Sequence, residues 1–297
     1  MNAPSVLPAV AGPRRYRFHV HVAVIFTAFS LLIGTLMMWH SHREISRLAL
    51  SASFDVFRQI GRETVGEVRR LQAPIETLVD LLANAPLVHA ASLEQRLASV
   101  AWLREALEQN TQISALYVGY AGGDFFLFRT LRDPAQRERL GAPASARYMV
   151  QSVERAAGAD VRGIYLFLGA DLQTVRREER ADYRFDPRTR GWYATAAAQA
   201  TQTQTEPYVF FTTREVGTTF ARRTPAADAV VGADLVLTEL SRALAGQRVS
   251  PSAELALFGP GGGVVAYREH ARAVREQDGV VRLAQLDELG VPVLQQA

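Results

Sequence analysis

An α+β fold is expected from the order in which two hydrophobic periodicities occur along the chain. Helical spacing dominates residues 41–110, and alternating β-prone runs follow from Ile113 to Leu235. Ahead of both lies an apolar run from Val20 to Trp39, which predicts a membrane-spanning helix. The expected architecture is a transmembrane helix, a long membrane-proximal helix, an antiparallel sheet, and a partial second subdomain.

The apolar run holds twenty residues with His21 as its only ionisable side chain. At about 1.5 Å per residue it extends about 30 Å, one hydrocarbon thickness. Arg14, Arg15 and Arg17 flank its N-terminal end, which places residues 1–17 in the cytoplasm, and Trp39 marks the opposite interface. A cleaved signal peptide is the competing reading. It would have a shorter apolar region and a small-residue cleavage site, whereas His40-Ser41-His42-Arg43 follow here. Residues 18–40 are therefore assigned to an uncleaved span of an inner membrane, with the bulk of the chain periplasmic.

Residues 41–91 form the long stalk helix. Phe57, Ile60, Thr64, Val68, Leu71, Ile75, Leu78 and Leu82 recur at steps of three and four, with Arg58, Arg62, Glu63, Glu67, Arg69 and Arg70 between them. That is an amphipathic seam. The end near Leu82 is expected to pack on its own domain, and the end near Phe57 to pair with a second protomer in a homodimer. Pro74 is expected to kink the helix or end its first segment. Ser92 then N-caps a helix reaching Asn110, with Glu94-Gln95 in its first turn.

The period changes at Ile113. Ile113–Tyr120 and Asp124–Thr130 read as a hairpin joined at Ala121-Gly122-Gly123. Tyr148–Glu154, Gly163–Leu168, Val209–Thr213 and Ala229–Leu235 are further strand candidates, with Leu237–Leu244 a closing helix. Residues 92–246 thus make the membrane-distal subdomain. Gly246 to Pro251 reads as a linker, and residues 247–297 begin a smaller unit with Leu255–Phe258, a Gly259–Gly263 turn and Val264–Tyr267. That unit is short for a complete subdomain, and no second apolar span precedes Ala297. The expectation is a fragment of a receptor or an unusual anchored sensor.

Composition removes several function classes. The 297 residues are 48% hydrophobic, enough for a core. The net charge of +3 is carried by Arg, which is scattered among acids as in Arg176-Arg177-Glu178-Glu179-Arg180. With no dense basic run or nucleic-acid motif, nucleic acid is not an expected partner. Absence of Cys excludes disulfide and thiolate chemistry, and the six histidines show no zinc spacing. No nucleophile elbow or His-Glu-x-x-His pair occurs, so no catalytic residue and no cofactor is assigned. Gly122-Gly123-Asp124-Phe125 approaches the diguanylate cyclase signature but lacks its Glu and runs on as a strand, so it reads as a turn. Gly259-Pro260-Gly261-Gly262-Gly263 lacks the ending of a phosphate loop and is a turn as well.

One stretch carries specific chemistry: Phe185-Asp186-Pro187-Arg188-Thr189-Arg190-Gly191-Trp192-Tyr193. Asp-Pro favours a turn, and Gly191 is expected to supply an unusual backbone geometry before a short helix. Such a turn can aim a guanidinium fork and an indole N–H into one pocket, where Arg suits a carboxylate. With Ile164–Phe167 before it, then Glu206-Pro207-Tyr208 and Val230–Leu235 after it, this stretch resembles the signature of double Cache domains, the PAS-like extracytoplasmic sensors of bacterial receptors. The resemblance covers about residues 18–297.

The resemblance implies a sensor that binds a small ligand, an amino acid or another carboxylate, and signals through its long helix. The output module is not in this chain; a cyclase, a cyclic-dinucleotide phosphodiesterase, a kinase and a chemoreceptor are the classes implied. In the amino-acid-binding subset, Arg190 and Trp192 would take the carboxylate beside Tyr208, and Asp234 would face the α-ammonium. Phe185 stands where that subset has a Tyr, so a hydroxyl is missing. Tyr117 and Tyr165 are candidate wall residues from strand position. Each has a plainer reading: Arg190 as a salt-bridged core arginine, Trp192 as core, Tyr208 as a strand-start aromatic, Asp234 as the cap of the helix near Leu237. Two other functions stay open, an anchored periplasmic solute-binding protein with a separate partner and an extracytoplasmic enzyme.

Overall fold

The computed structural model describes residues 18–155, 161–180, 183–213, 215–246, 254–259, 261–277, 280–292 and 294. The expected cytoplasmic tail, most of the expected linker and the side chain of Phe57 lie outside the described parts. Residues 1–62 and 63–297 form two compact units.

Helix α1, Phe18–Leu82, begins in the first unit and continues into the second. In the first unit, Phe18–Ile45 is long and apolar enough to cross a membrane, with a mean hydropathy of 2.1 and none of its most apolar window buried in protein. An apolar surface of that length has no stable place in water, so it fits a single transmembrane span and not the core helix of a soluble domain. Its two threonines donate back to carbonyls four residues earlier, Thr27 to Ala23 and Thr35 to Leu31, both at 2.8 Å. These bonds satisfy the hydroxyls without water.

In the second unit the seam of α1 sinks progressively into the domain. Val68 and Leu71 are half-buried, while Ile75, Val79 and Leu82 are completely buried. Of the two outcomes expected at Pro74, a kink or a helix end, the second does not occur: α1 runs through it. The ring removes one backbone donor, but burial of Ile75 and the leucines beyond holds the following turns in place. The expected helix from Ser92 to Asn110 is two pieces, α2 (Leu93–Leu97) and α3 (Val100–Gln109). Ser92 does cap the first, accepting from the Gln95 amide at 3.3 Å. The break lets Arg96 turn inward, while Leu103 and Leu107 pack on the sheet.

The strands are β1 (Ile113–Tyr120), β2 (Phe125–Thr130), β3 (Tyr148–Glu154), β4 (Arg162–Leu168), β5 (Thr174–Arg180), β6 (Thr203–Gln204), β7 (Tyr208–Val209), β8 (Val216–Arg223) and β9 (Ala229–Val236). Helix α4 (Pro134–Arg139) follows β2, α5 (Gly191–Ala198) precedes β6, and α6 (Leu237–Ala245) follows β9. They form one sheet in the order β5-β4-β3-β2-β1-β9-β8-β6, with β7 also on β8, and every pairing is antiparallel. The fold class is α+β, as the sequence predicts.

Three strands of this sheet escaped the sequence reading. The charged run around Arg176 is β5, an edge strand whose Arg176–Glu178 and Arg177–Glu179 pairs lie along it at 2.9 and 2.6 Å. Charge is what keeps such an edge from recruiting another chain. β8 and β6 were also unassigned, and the strand expected over Val209–Thr213 is cut to Tyr208–Val209 by a turn.

Because side chains alternate, the sheet presents two faces. Leu116, Val118, Phe126, Phe128, Val231 and Ala233 meet α1 and α3 on one. Ala115, Tyr117, Phe125, Leu127 and Val230 meet Phe185 and Trp192 on the other. Beyond α6 come β10 (Ala256–Phe258), β11 (Val264–Tyr267), helix α7 (His270–Ala273), β12 (Val274–Gln277) and β13 (Val280–Leu283). The first hairpin was expected; the second, β12–β13, was not.

Candidate functional site

The loop before α5 is built by its own polar groups. Asp186 accepts from the Arg188 amide at 2.9 Å and from the Arg188 guanidinium at 3.0 and 2.8 Å. Those bonds, with Arg155 beside them, hold the Asp186 carboxyl below its usual range. Arg155 donates to the carbonyls of Phe185 and Gly123 at 2.7 and 2.9 Å, which clips the loop to the β1–β2 turn. The two motif arginines thus divide their roles. Arg188 is consumed in the loop, whereas the Arg190 guanidinium makes no ion pair or hydrogen bond among the described residues and lies over Phe211 at 5.5 Å.

Gly191 does not have the unusual geometry expected of it. Its φ is ordinary, and nothing lies within 4 Å of where a Cβ would stand. The glycine that matters is Gly119 on β1, where a Cβ would come within 2.9 to 3.0 Å of Pro187, Trp192 and Tyr193. The loop and α5 rest directly on that backbone. Trp192, buried, then meets Tyr117 edge-on at 4.9 Å between ring centres.

Register brings the remaining groups together. Tyr117 on β1 lies opposite Gly232 on β9, two residues from Asp234, and Asp234 faces Thr219 on β8. The carboxylate Oδ1 of Asp234 accepts from the Tyr117 and Thr219 hydroxyls, both at 2.7 Å. With its proton committed to Asp234, Thr219 Oγ1 accepts from Tyr208 at 2.8 Å. Burial and the neighbouring Asp234 charge hold the Tyr117 phenol well above its ordinary range, so it stays a donor. No donor among the described residues reaches the other oxygen, Oδ2, of Asp234. Asp234 is not a helix cap: α6 begins after Val236 with no side-chain cap.

These side chains line a cavity of about 30 Å³, closed by Phe185, Phe210 and Phe211. That is room for about one water, so a larger guest requires the lining to rearrange. Of the expected site residues, Phe185, Arg190, Trp192, Tyr208, Asp234 and Tyr117 line it. Tyr165 does not. It stands on β4, two strands away from β2, with its hydroxyl 2.6 Å from that of Tyr183 and Arg180 over its ring.

Two contributors were not expected. Thr219 lies on β8, which the sequence reading did not assign. Arg129 is only 2% exposed, lines the cavity from β2, and its Nε has no partner. The signal was present, since Phe125, Leu127 and Arg129 alternate along one face with Arg129 the lone charge. The donor set of guanidinium, phenol and one carboxylate suits an organic ion rather than a metal.

Two roomier cavities lie elsewhere. A polar cleft of about 690 Å³ runs past Arg132, Glu215 and His270, and an apolar one of about 270 Å³ lies between Leu71, Leu240 and Phe258. In the polar cleft the groups bond one another: Gln136 to Glu215 at 3.0 Å, and His270 to Thr238 and Ser241 at 3.1 and 3.3 Å. The small cavity, by contrast, gathers the guanidiniums of Arg190 and Arg129 beside the Asp234 carboxylate.

The loop before α5, seated on an antiparallel sheet, brings its second arginine and its tryptophan to the cavity that Asp234 of β9 also lines.

No family model matches the chain. The chain is 28% identical over 233 residues to adenylate cyclase 1 of Rhizobium meliloti, covering 77% of this chain and 35% of that protein's length. Among solved structures it is similar to the ligand-binding domain of the Pseudomonas fluorescens chemoreceptor CtaA in complex with L-serine. That likeness has a TM-score of 0.47 and 19% identity, over 78% of this chain and 75% of the other. It is also similar to the sensory domain of the Campylobacter jejuni chemoreceptor Tlp3 with isoleucine bound, with a TM-score of 0.44 and 15% identity over 72% and 68%.

Burial raises the pKa of Asp234 from 3.8 to about 6, the bonds from Tyr117 and Thr219 only partly opposing it. Since the folded value lies above the unfolded one, the group's contribution is complete below the unfolded pKa and lost as pH rises through the folded one. In the ligand-free protein, stability from this residue is expected to fall between about pH 4 and pH 6. Urea unfolding at either end of that window should show Asp234→Asn gaining on wild type as pH rises. Equal slopes for the two proteins would show that Asp234 is not buried as a charge.

Proposed function

We propose that this chain is the sensory part of a membrane-anchored receptor that binds an amino acid or a closely related ammonium carboxylate. The observation that carries the reading is one cavity holding the open Oδ2 of buried Asp234 and the partnerless guanidinium of Arg190. A zwitterion needs opposite charges a few ångströms apart, each with its hydrogen bonds met. Arg190 takes the carboxylate in two parallel bonds, with Trp192 as the floor. Asp234, oriented by Tyr117 and Thr219, takes the ammonium.

Arg14, Arg15 and Arg17 support a cytoplasmic N-terminus and a periplasmic sensor on the inner membrane. Burial of α1 from Ile75 to Leu82 ties that helix to the sheet beneath the cavity. Ligand that favours one packing of the helix biases its position by the difference in affinity for two states. The upper seam of α1 is the proposed homodimer contact. The partial likeness to an adenylate cyclase supports an output of that class.

The test is thermal melting of the full chain in detergent against amino acids, organic acids, amines and purines, with Arg190→Ala alongside. A bound ligand at a hundred times its Kd adds about 2.7 kcal/mol. An amino acid is expected to raise the midpoint, and Arg190→Ala to weaken it on the order of 30-fold or more. Cooperative melting with no shift by any amino acid would remove this reading, and an anchored enzyme or partner-binding domain would take its place.

A further inference from the structure

Arg129 is a second cation in the cavity, and the proposed carboxylate–ammonium site has no use for it. It is one of the largest fully buried side chains in the protein, 2% exposed. Its guanidinium makes no ion pair or hydrogen bond among the described residues, and its Nε is closed off from solvent without a partner. Leaving a guanidinium buried and unmatched is costly, and proteins tolerate it chiefly where something else is meant to meet it.

Its place in the sheet is set by register. Ala115 on β1 pairs with Arg129 on one side and with Asp234 on the other. The two charges therefore stand in one row across three strands, about 9 to 10 Å apart at Cα, with only a methyl group between them. Arg190 comes down on the same cavity from the opposite wall, off the loop before α5. Neutral acceptors nearby are already engaged: Gln151, buried on the same sheet face, accepts from Thr212 at 3.1 Å and donates to Tyr183 at 3.1 Å.

The cavity thus presents two cations and one anion. A ligand with one ammonium and one carboxylate leaves a guanidinium over. A ligand with one ammonium and two carboxylates meets all three charges and brings the site to neutrality. We propose, resting on the amino-acid reading above, that Arg129 makes this a site for an acidic amino acid. Asp234 holds the ammonium, Arg190 the α-carboxylate, and Arg129 the side-chain carboxylate. The separation of Arg129 from Asp234 by one residue's width matches a side chain that projects away from the ammonium along the row.

The experiment is calorimetric titration of the full chain in detergent with L-glutamate, L-aspartate, L-glutamine, L-asparagine and L-alanine. Each acid differs from its amide by the charge Arg129 would read and by little in shape. The acids are expected to bind on the order of 30-fold tighter than their amides. Arg129→Met, which keeps the length of the side chain, should erase that preference and leave amide binding within a few-fold. Equal affinity for acid and amide, or an equal loss for all ligands in Arg129→Met, overturns the role of Arg129 and leaves the amino-acid site standing. Absence of binding by all five overturns both. If Arg129→Met does not fold, the wild-type ratio of glutamate to glutamine decides alone.

Discussion

Asp234→Asn is expected to abolish ligand binding without weakening the fold. The amide keeps the shape of the carboxylate, and its oxygen still accepts from Tyr117 and Thr219. What changes is the atom facing the cavity, where an NH₂ donor replaces the open Oδ2. An ammonium then meets a donor in place of an anion, and removing one partner of a desolvated pair costs about 2–5 kcal/mol, which is roughly 30- to 4000-fold in affinity. The ligand-free protein should respond in the opposite sense. Asp234 is held ionised at neutral pH against burial that raises its pKa to about 6, so neutralising it relieves a cost. Parallel measurement of Kd and of the urea midpoint at about pH 7 tests both halves. Retained affinity would remove Asp234 from the site, and a large fall in the midpoint would make it a structural residue.

Gly232→Ala is expected to damage stability and binding together. A Cβ at Gly232 would fall 2.3 Å from Tyr117 Cε2, 2.7 Å from Cζ and 2.9 Å from its hydroxyl, distances that real Cβ atoms do not show. The ring cannot yield easily, because Trp192 and Phe125 hold it at 4.9 and 5.6 Å. Overpacking costs about 1–3 kcal/mol, and tearing the buried hydroxyl from Asp234 costs about 1–3 more. The stiffer unfolded chain returns about 0.4–1 kcal/mol. A net loss of about 2–4 kcal/mol is expected by urea unfolding, with binding reduced as Asp234 loses its orienting bond. Gly122→Ala is the control, since nothing lies within 4 Å of a Cβ there. A Gly232→Ala protein as stable as the control would mean that Tyr117 has another place to go.

Much of this architecture was legible in the chain. A long apolar run, a seam at steps of three and four, and alternating β-prone segments each report a local physical preference. That is why the span, α1, β1 to β4 and β9 were assignable from sequence. The misses have a common origin. β5 is written almost wholly in Arg and Glu, because as an edge strand it contributes charge and not apolar surface. β8 has a glycine, Gly217, at its second position and ends in Arg222-Arg223, which weakens its strand signal. Pro74 predicts a kink or a helix end, and burial of the following turn rules out the end.

The site divides along the same line. Residues adjacent in sequence announced themselves: the Phe185–Tyr193 loop is a local structure, and its Asp, Pro and Arg carry the geometry in their own side chains. Which arginine is spent and which is open is not local. Arg188 and Arg190 are two residues apart, and only the closure of Arg188 on Asp186 leaves Arg190 to the cavity. Asp234, Ala115 and Arg129 are far apart in the chain and become neighbours through strand register alone. The sequence by itself determined that there is a helix long and apolar enough to cross a membrane, an α+β domain and a polar turn before α5, because those follow from hydrophobic spacing and turn chemistry. Tertiary structure decided that Arg129 joins the site and Tyr165 does not, because a side chain's partners across a sheet depend on which strands pair and in what register.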